Sequence, residues 1–126
     1  MEKLRFDISK SSQENEYFRR VLWTGDKSQL VLMSLKPGEE IGEEVHQGID
    51  QLLFFTAGSG KAILEDQEFS FETGQCVVVP AGTKHNFINT SDQDSVKLYT
   101  VYSPAEHPDD TVHQTKAEAD EAEHDH

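Results

Sequence analysis

The amino-acid sequence predicts an all-β, single-domain protein, either a closed β-barrel or a two-sheet jelly roll. Three observations point there. About eight short apolar runs succeed one another between residues 30 and 102, separated by turns rich in Gly, Pro and Asp. Seven of the eight glycines fall between residues 38 and 82, where such a chain needs its turns. No helical apolar period runs through that region. With 126 residues, 35% of them hydrophobic, the chain can bury one core and has no room for a second.

Residues 1–16 are polar and are expected to be loosely attached. Residues 17–104 make up the expected barrel domain. Tyr17, Phe18, Val21, Leu22 and Trp23 form an apolar lead-in before a Gly25-Asp26 turn. Leu30–Leu35 reads as a strand closed by Lys36-Pro37-Gly38. Val45 and Ile49 suggest a strand followed by a loop. Gln51–Ala57 is a dense apolar strand, stopped by Gly58-Ser59-Gly60. Lys61–Glu65 and Glu68–Phe71 flank Asp66-Gln67 as a hairpin. Cys76–Val79 ends at Pro80-Ala81-Gly82, His85–Ile88 is short, and Val96–Tyr102 is the last clear strand.

Residues 105–126 hold eight acids against the single Lys116. They are expected to form a solvated appendage or a short exposed helix outside the core. Thr115 and Glu118 fit a capping box for a helix over about residues 116–123.

Charge narrows the partners. Eleven Lys and Arg against 24 Asp and Glu leave a formal net charge of −13. Nucleic acids and anionic membranes repel such a chain unless it carries a basic patch, and none is visible. No apolar run approaches the roughly 18 residues of a spanning helix. The first twenty residues contain no apolar leader, and the lone Cys76 cannot form an intrachain disulfide, so a cytoplasmic protein is expected. Cys76 lies in an apolar strand and is expected to pack rather than react.

Four residues suggest chemistry. Glu44 and His46 are two apart, so on an extended chain they share a face. Gln51 opens the next strand, and His85 follows a turn that can aim it into a barrel mouth. If the strands close, two imidazoles, a carboxylate and an amide oxygen converge, a set suited to one divalent ion that takes N and O ligands. The same set binds Mn, Fe, Co, Ni or Zn. The competing readings are a solvated acid for Glu44, which sits among Glu39, Glu40 and Glu43, and hydrogen-bonded histidines lining an empty barrel.

Strand parity extends the site. If Gln51 points inward, so do Leu53 and Phe55; if His85 does, so does Phe87, while Lys84 points out. Leu53, Phe55 and Phe87 are then candidate walls of a small-molecule pocket, completed by Met33, Leu35, Leu98 and Thr100 or their parity partners. Gly58, Gly74, Pro80 and Gly82 are expected to set turns. Asn86 and Asn89 are expected to fix loop backbone. His107 and His113 are expected at the surface, with folding back over the barrel mouth or a place at a subunit contact as the alternatives, and His124 with His126 can bind metals adventitiously.

Two segments carry a resemblance. Residues 38–58 follow G-x5-E-x-H-x4-Q-x6-G, and residues 74–89 follow G-x5-P-x-G-x2-H-x3-N. Together they resemble the two motifs of the cupin superfamily over roughly residues 30–102. The resemblance implies a cupin barrel holding one metal ion, usually through three histidines and a glutamate. Here Glu44 stands where the first histidine usually is, and Gln51 where the glutamate usually is. Glu44, His46 and His85 still make a set of two histidines and one carboxylate. Three functions follow as expectations: a dioxygenase-type enzyme on a small organic substrate, a sugar-isomerase-like enzyme, or a non-catalytic module that binds a small molecule or metal. A phosphorylated sugar needs cationic anchors, and no inward Arg or Lys is evident. Cupins commonly pair, so a homodimer is expected, with Phe18–Trp23 as its contact.

Overall fold

The computed structural model describes residues 4–124. In chain order these form α1 (Ile8–Glu14), β1 (Arg19–Thr24), β2 (Gln29–Leu35), β3 (Asp50–Ala57), β4 (Ser59–Leu64), β5 (Gln67–Glu72), β6 (Cys76–Val79), β7 (His85–Ile88), β8 (Val96–Ser103), β9 (Val112–His113) and α2 (Lys116–His124). All strand pairs are antiparallel. One sheet runs β6-β3-β8-β2-β1-β9 and the other β5-β4-β7. Bridges from Glu40 to Ile88 and from Glu44 to His85 lay residues 40–44 beside β7.

The core lies between the sheets and follows the period-two alternation of each strand. Gln51, Leu53 and Phe55 of β3 point in, as do Val96, Leu98, Thr100 and Tyr102 of β8 and His85 and Phe87 of β7. Met33 and Leu35 of β2 complete that face. Phe55 stacks on Phe71 with centroids 3.9 Å apart, and Phe87 leans on both. Burying each such ring contributes about 1.5–3 kcal/mol. The ring contacts add about 0.5–1.5 kcal/mol per pair.

Glycines matter where two backbones meet. Gly60 lies so close to β7 that a Cβ would stand 2.1 Å from the Ile88 carbonyl oxygen. Gly58 combines a φ of 85° with a Cβ position 2.6 Å from the Ser95 carbonyl oxygen.

Several elements depart from expectation. The stretch around Val45 makes only the Glu44 bridge, because two tight turns at Gly42 and Gly48 leave no run long enough to pair. The lead-in segment is a true strand, β1, paired with β2 and β9. Residues 8–14 form α1, packed on β2, β3 and β8. Its contact is polar, which hid it from an apolar pattern: Ser12 is buried and its hydroxyl hydrogen-bonds that of Thr56 at 2.7 Å. Lys97 Nζ, also buried, donates to the Asn15 carbonyl at 2.6 Å and to Ser34 Oγ at 3.0 Å.

The acidic C-terminal segment is likewise part of the core. Ala119 of α2 is 2% exposed and belongs to the apolar cluster, while β9 adds a strand edge. The Thr115 hydroxyl caps the Glu118 amide, but Glu118 reaches back to the Gln114 amide. Cys76 is exposed on the outer face of β6, so it does not pack inside. Among the described residues no helix is long and apolar enough to cross a membrane.

Candidate metal centre

Glu44, His46 and His85 come together at one end of the barrel, with one ligand atom from each lying within 4.8 Å of the others. The backbones of Glu44 and His85 exchange two hydrogen bonds at 2.9 Å, which sets the two residues opposite each other. His46 is held nearby by its carbonyl, which accepts from the Gly82 amide at 3.0 Å. Gly82, at φ 81°, makes the tight turn that leads into His85.

The hydrogen-bond partners select the tautomers. His85 Nδ1 lies 2.8 Å from the Thr83 carbonyl oxygen, which can only accept. That nitrogen therefore carries the proton, and a neutral His85 presents the lone pair of Nε2. His46 Nδ1 faces the Glu106 carboxylate at 3.4 Å, and its Nε2 lies 3.9 Å from Glu44 Oε1. Both Nε2 atoms are buried and without a hydrogen-bond partner. Leaving such atoms unpaired costs about 1–3 kcal/mol each, so the site is built for something that accepts their lone pairs.

Gln51 adds a third unpartnered atom. The Thr100 hydroxyl gives its proton to the Leu52 carbonyl at 2.8 Å. It can therefore only accept from Gln51, whose Nε2 lies 3.1 Å away, and Gln51 Oε1 is left buried with no partner. The oxygen is of the type a divalent ion takes, as are the two imidazole nitrogens and the Glu44 carboxylate. The residues present fit such an ion.

The charges pull the two histidines apart. Burial works to lower the His46 pKa, but the hydrogen bond to Glu106 and the charges of Glu44 and Glu106 outweigh it, and the value is raised. Burial lowers the His85 pKa, which the Thr83 carbonyl opposes and the charge of His46 reinforces.

The remaining candidates fall as follows. Leu53, Phe55 and Phe87 are buried inside the barrel, where Phe55 and Phe87 join the Phe71 stack. Asn89 Nδ2 donates to the carbonyls of Leu35, Lys36 and Asp94, and Asn86 Oδ1 accepts from the Gly42 and Phe87 amides. His107 and His113 fold back rather than sitting at the surface. His107 packs edge-on against Tyr102 at 5.2 Å, and His113 Nδ1 lies 3.2 Å from Arg19 Nη1. Burial lowers the His107 pKa to about 3, assisted by the charges of Arg19, His46 and His113. Of the last histidines, His126 lies outside the described residues, and α2 ends at His124.

Three contributors escape a sequence reading. Glu106 orients His46 but sits in an acid-rich stretch with no local signal. Gln29, fully buried, clamps the segment that carries Glu106: its Oε1 accepts from the Glu106 and His107 amides at 3.2 and 3.0 Å, and its Nε2 donates to the His107 carbonyl at 2.7 Å. Arg19 is 2% exposed and points inward, so the barrel does contain an inward cation. Its alternation with Val21 along β1 is the signal that could have found it.

Comparison with known proteins agrees with this architecture. The family described as "Cupin domain" matches residues 31–102. Protein YrkC of Bacillus subtilis (strain 168) is 43% identical over 123 residues, covering 93% of this chain and 66% of that protein. A protein of Acanthamoeba polyphaga mimivirus is 44% identical over 105 residues, covering 81% of this chain and 66% of the relative. The chain thus spans just under two thirds of the length of these curated relatives. The crystal structure of BH2720 from Bacillus halodurans superposes with a TM-score of 0.91 at 38% identity, over 94% of this chain and 93% of that one. A barrel of this topology, with both motifs placed around a cluster of two histidines and a carboxylate, belongs to the cupin family.

Proposed function

We propose that the chain binds one divalent metal ion through Glu44, His46 and His85 and acts there on a small organic molecule. The observation that carries this reading is the pair of buried, unpartnered histidine Nε2 atoms beside the Glu44 carboxylate. A divalent ion would supply Lewis-acid polarisation of a substrate oxygen or, as iron, open positions for dioxygenase-type chemistry. The chain's own residues do the rest. Thr83 keeps His85 in the tautomer whose Nε2 is a lone pair, and Glu106 does the same for His46. Gln51 Oε1 offers a further ligand or holds a substrate hydroxyl by accepting its proton in a hydrogen bond. The barrel wall of Leu53, Phe55 and Phe87 keeps water from the inner side. A homodimer accompanies this reading. Phe18 and Val21 are already buried within the chain, so the contact falls to Trp23 and its exposed neighbours, with sedimentation as the test.

The test is elemental analysis of untagged protein in which His124 and His126 are replaced by Ser. Near-stoichiometric Mn, Fe, Co, Ni or Zn, lost in Glu44→Ala, His46→Ala and His85→Ala and retained in part in Gln51→Ala, is expected. Oxygen uptake by the iron-loaded protein separates the oxidative reading from an isomerase, which keeps its activity without oxygen. Protein that stays metal-free and takes up no added ion would overturn both, leaving a non-catalytic binding module.

A further inference from the structure

Beside the metal centre, across Glu106, lies a second cavity of about 250 Å³ lined by Arg19, Glu106, His107, Thr111 and His113. Its unusual member is Arg19. The side chain is 2% exposed, its Nε has no hydrogen-bond partner, and its Nη1 meets only a histidine nitrogen. Among the described residues no carboxylate lies within ion-pair distance of it. The Phe18 ring, 5.2 Å from the guanidinium carbon, gives only a weak cation–π contact. A buried cation without an ion-pair partner is costly, and an entering anion offsets part of that cost. His107 adds a second buried atom with no partner, Nε2, on the same wall.

We infer that this cavity binds the carboxylate group of a small organic acid, with Arg19 as its anchor and His107 as a supporting donor. The planar guanidinium fork matches a carboxylate. A phosphate dianion fits less well, because the cavity offers one fixed cation and carries the Glu106 carboxylate on its wall. Glu106 faces both sites, pairing with His46 on one side and lining the cavity on the other. An acid seated on Arg19 therefore lies next to the metal centre, so the substrate of the proposed reaction is a carboxylic acid. The link to catalysis rests on the proposed metal site; the binding of the acid does not.

The experiment uses metal-free full-length protein, so that metal uptake and acid binding are read separately. Succinate and acetate are titrated calorimetrically at constant ionic strength, with chloride and inorganic phosphate as controls. One-to-one binding with a Kd on the order of millimolar is expected. It should weaken about tenfold or more in Arg19→Gln and less in His107→Gln. Because Arg19→Gln can fail to fold, the Nε–H resonance of Arg19 in labelled wild-type protein gives a second readout, and it should shift with succinate and not with chloride. Acid binding that survives Arg19→Gln, phosphate bound more tightly than either acid, or an Arg19 resonance unmoved by saturating succinate would each overturn the inference. If acids bind but no metal does, the proposed function falls and this site stands.

Discussion

His46 and His107 are shifted in opposite directions. The Glu106 and Glu44 carboxylates raise the His46 pKa against the effect of burial, whereas His107 is held neutral by burial and by the nearby cation of Arg19. Protons therefore compete with a metal at His46, and metal affinity rises with pH as His46 loses its proton. In Glu106→Gln the His46 pKa falls, so the midpoint of metal uptake moves to lower pH. Plateau affinity drops roughly 10- to 100-fold, because the ring loses the partner that orients it. Metal titrations at several pH values read both effects. The His107 pKa is shifted the other way and acts on folding. Its folded pKa of about 3 lies below the ordinary 6.5. Below about pH 6.5 the unfolded chain binds a proton that the folded chain does not bind until about pH 3. The contribution is whole above 6.5 and is lost as pH falls through that window. His107→Gln should flatten this part of the wild-type melting-temperature profile, measured side by side in the same buffers.

At the level of elements, the barrel depends on joints made by buried polar side chains. Asn89, fully buried after β7, ties three carbonyls at the ends of β2 and before β8. Asn89→Ala leaves the buried Leu35 carbonyl unsatisfied and releases the part-buried Lys36 and Asp94 carbonyls, and should cost roughly 1–3 kcal/mol in urea unfolding without changing the candidate metal ligands. Gln29 performs the same task at the other end, fastening the loop after β8 so that Glu106 and His107 are presented together. Lys97 plays a third such part: its ammonium lies under α1 and binds the helix exit to β2. Gly60 acts by the absence of a side chain: Ile88 backbone stands where a Cβ would go, so β4 and β7 can approach closely there.

For the whole molecule, the candidate metal centre and the Arg19 cavity share the Glu106 carboxylate, and the C-terminal segment lines that cavity. A ligand that binds only the folded chain stabilises it by mass action, about 2.7 kcal/mol at a hundredfold excess over Kd. Chelation should therefore lower the melting temperature of metal-loaded protein by several degrees and leave His46→Ala unchanged, as scanning calorimetry would show. The net charge of −13 is also arranged usefully. Eight acids crowd the C-terminal segment, but the adjoining cavity holds the Arg19 cation opposite the Glu106 carboxylate.

The sequence by itself determined the all-β class, the facing of the barrel's residues and the three side chains of the candidate metal centre; of the roughly eight strands expected between residues 30 and 102, all but the one around Val45 formed. These are local properties: alternation has a period of two, turns need Gly and Pro, and the two motifs keep fixed spacing. Gln51, Leu53, Phe55, His85 and Phe87 all lie on the buried face that parity assigned them. Only the tertiary structure decided what reaches across the chain. α1 docks by a serine and a lysine contact rather than an apolar stripe, so no helical period announced it. The acidic C-terminal segment is charged by composition yet places Ala119 in the core and Glu106 against His46. Arg19 becomes a buried cation only because β9 and the 106–113 segment cover it, more than eighty residues further along the chain. Such contacts cost loop-closure entropy that a distant segment recovers on docking, and nothing in a local window records that exchange.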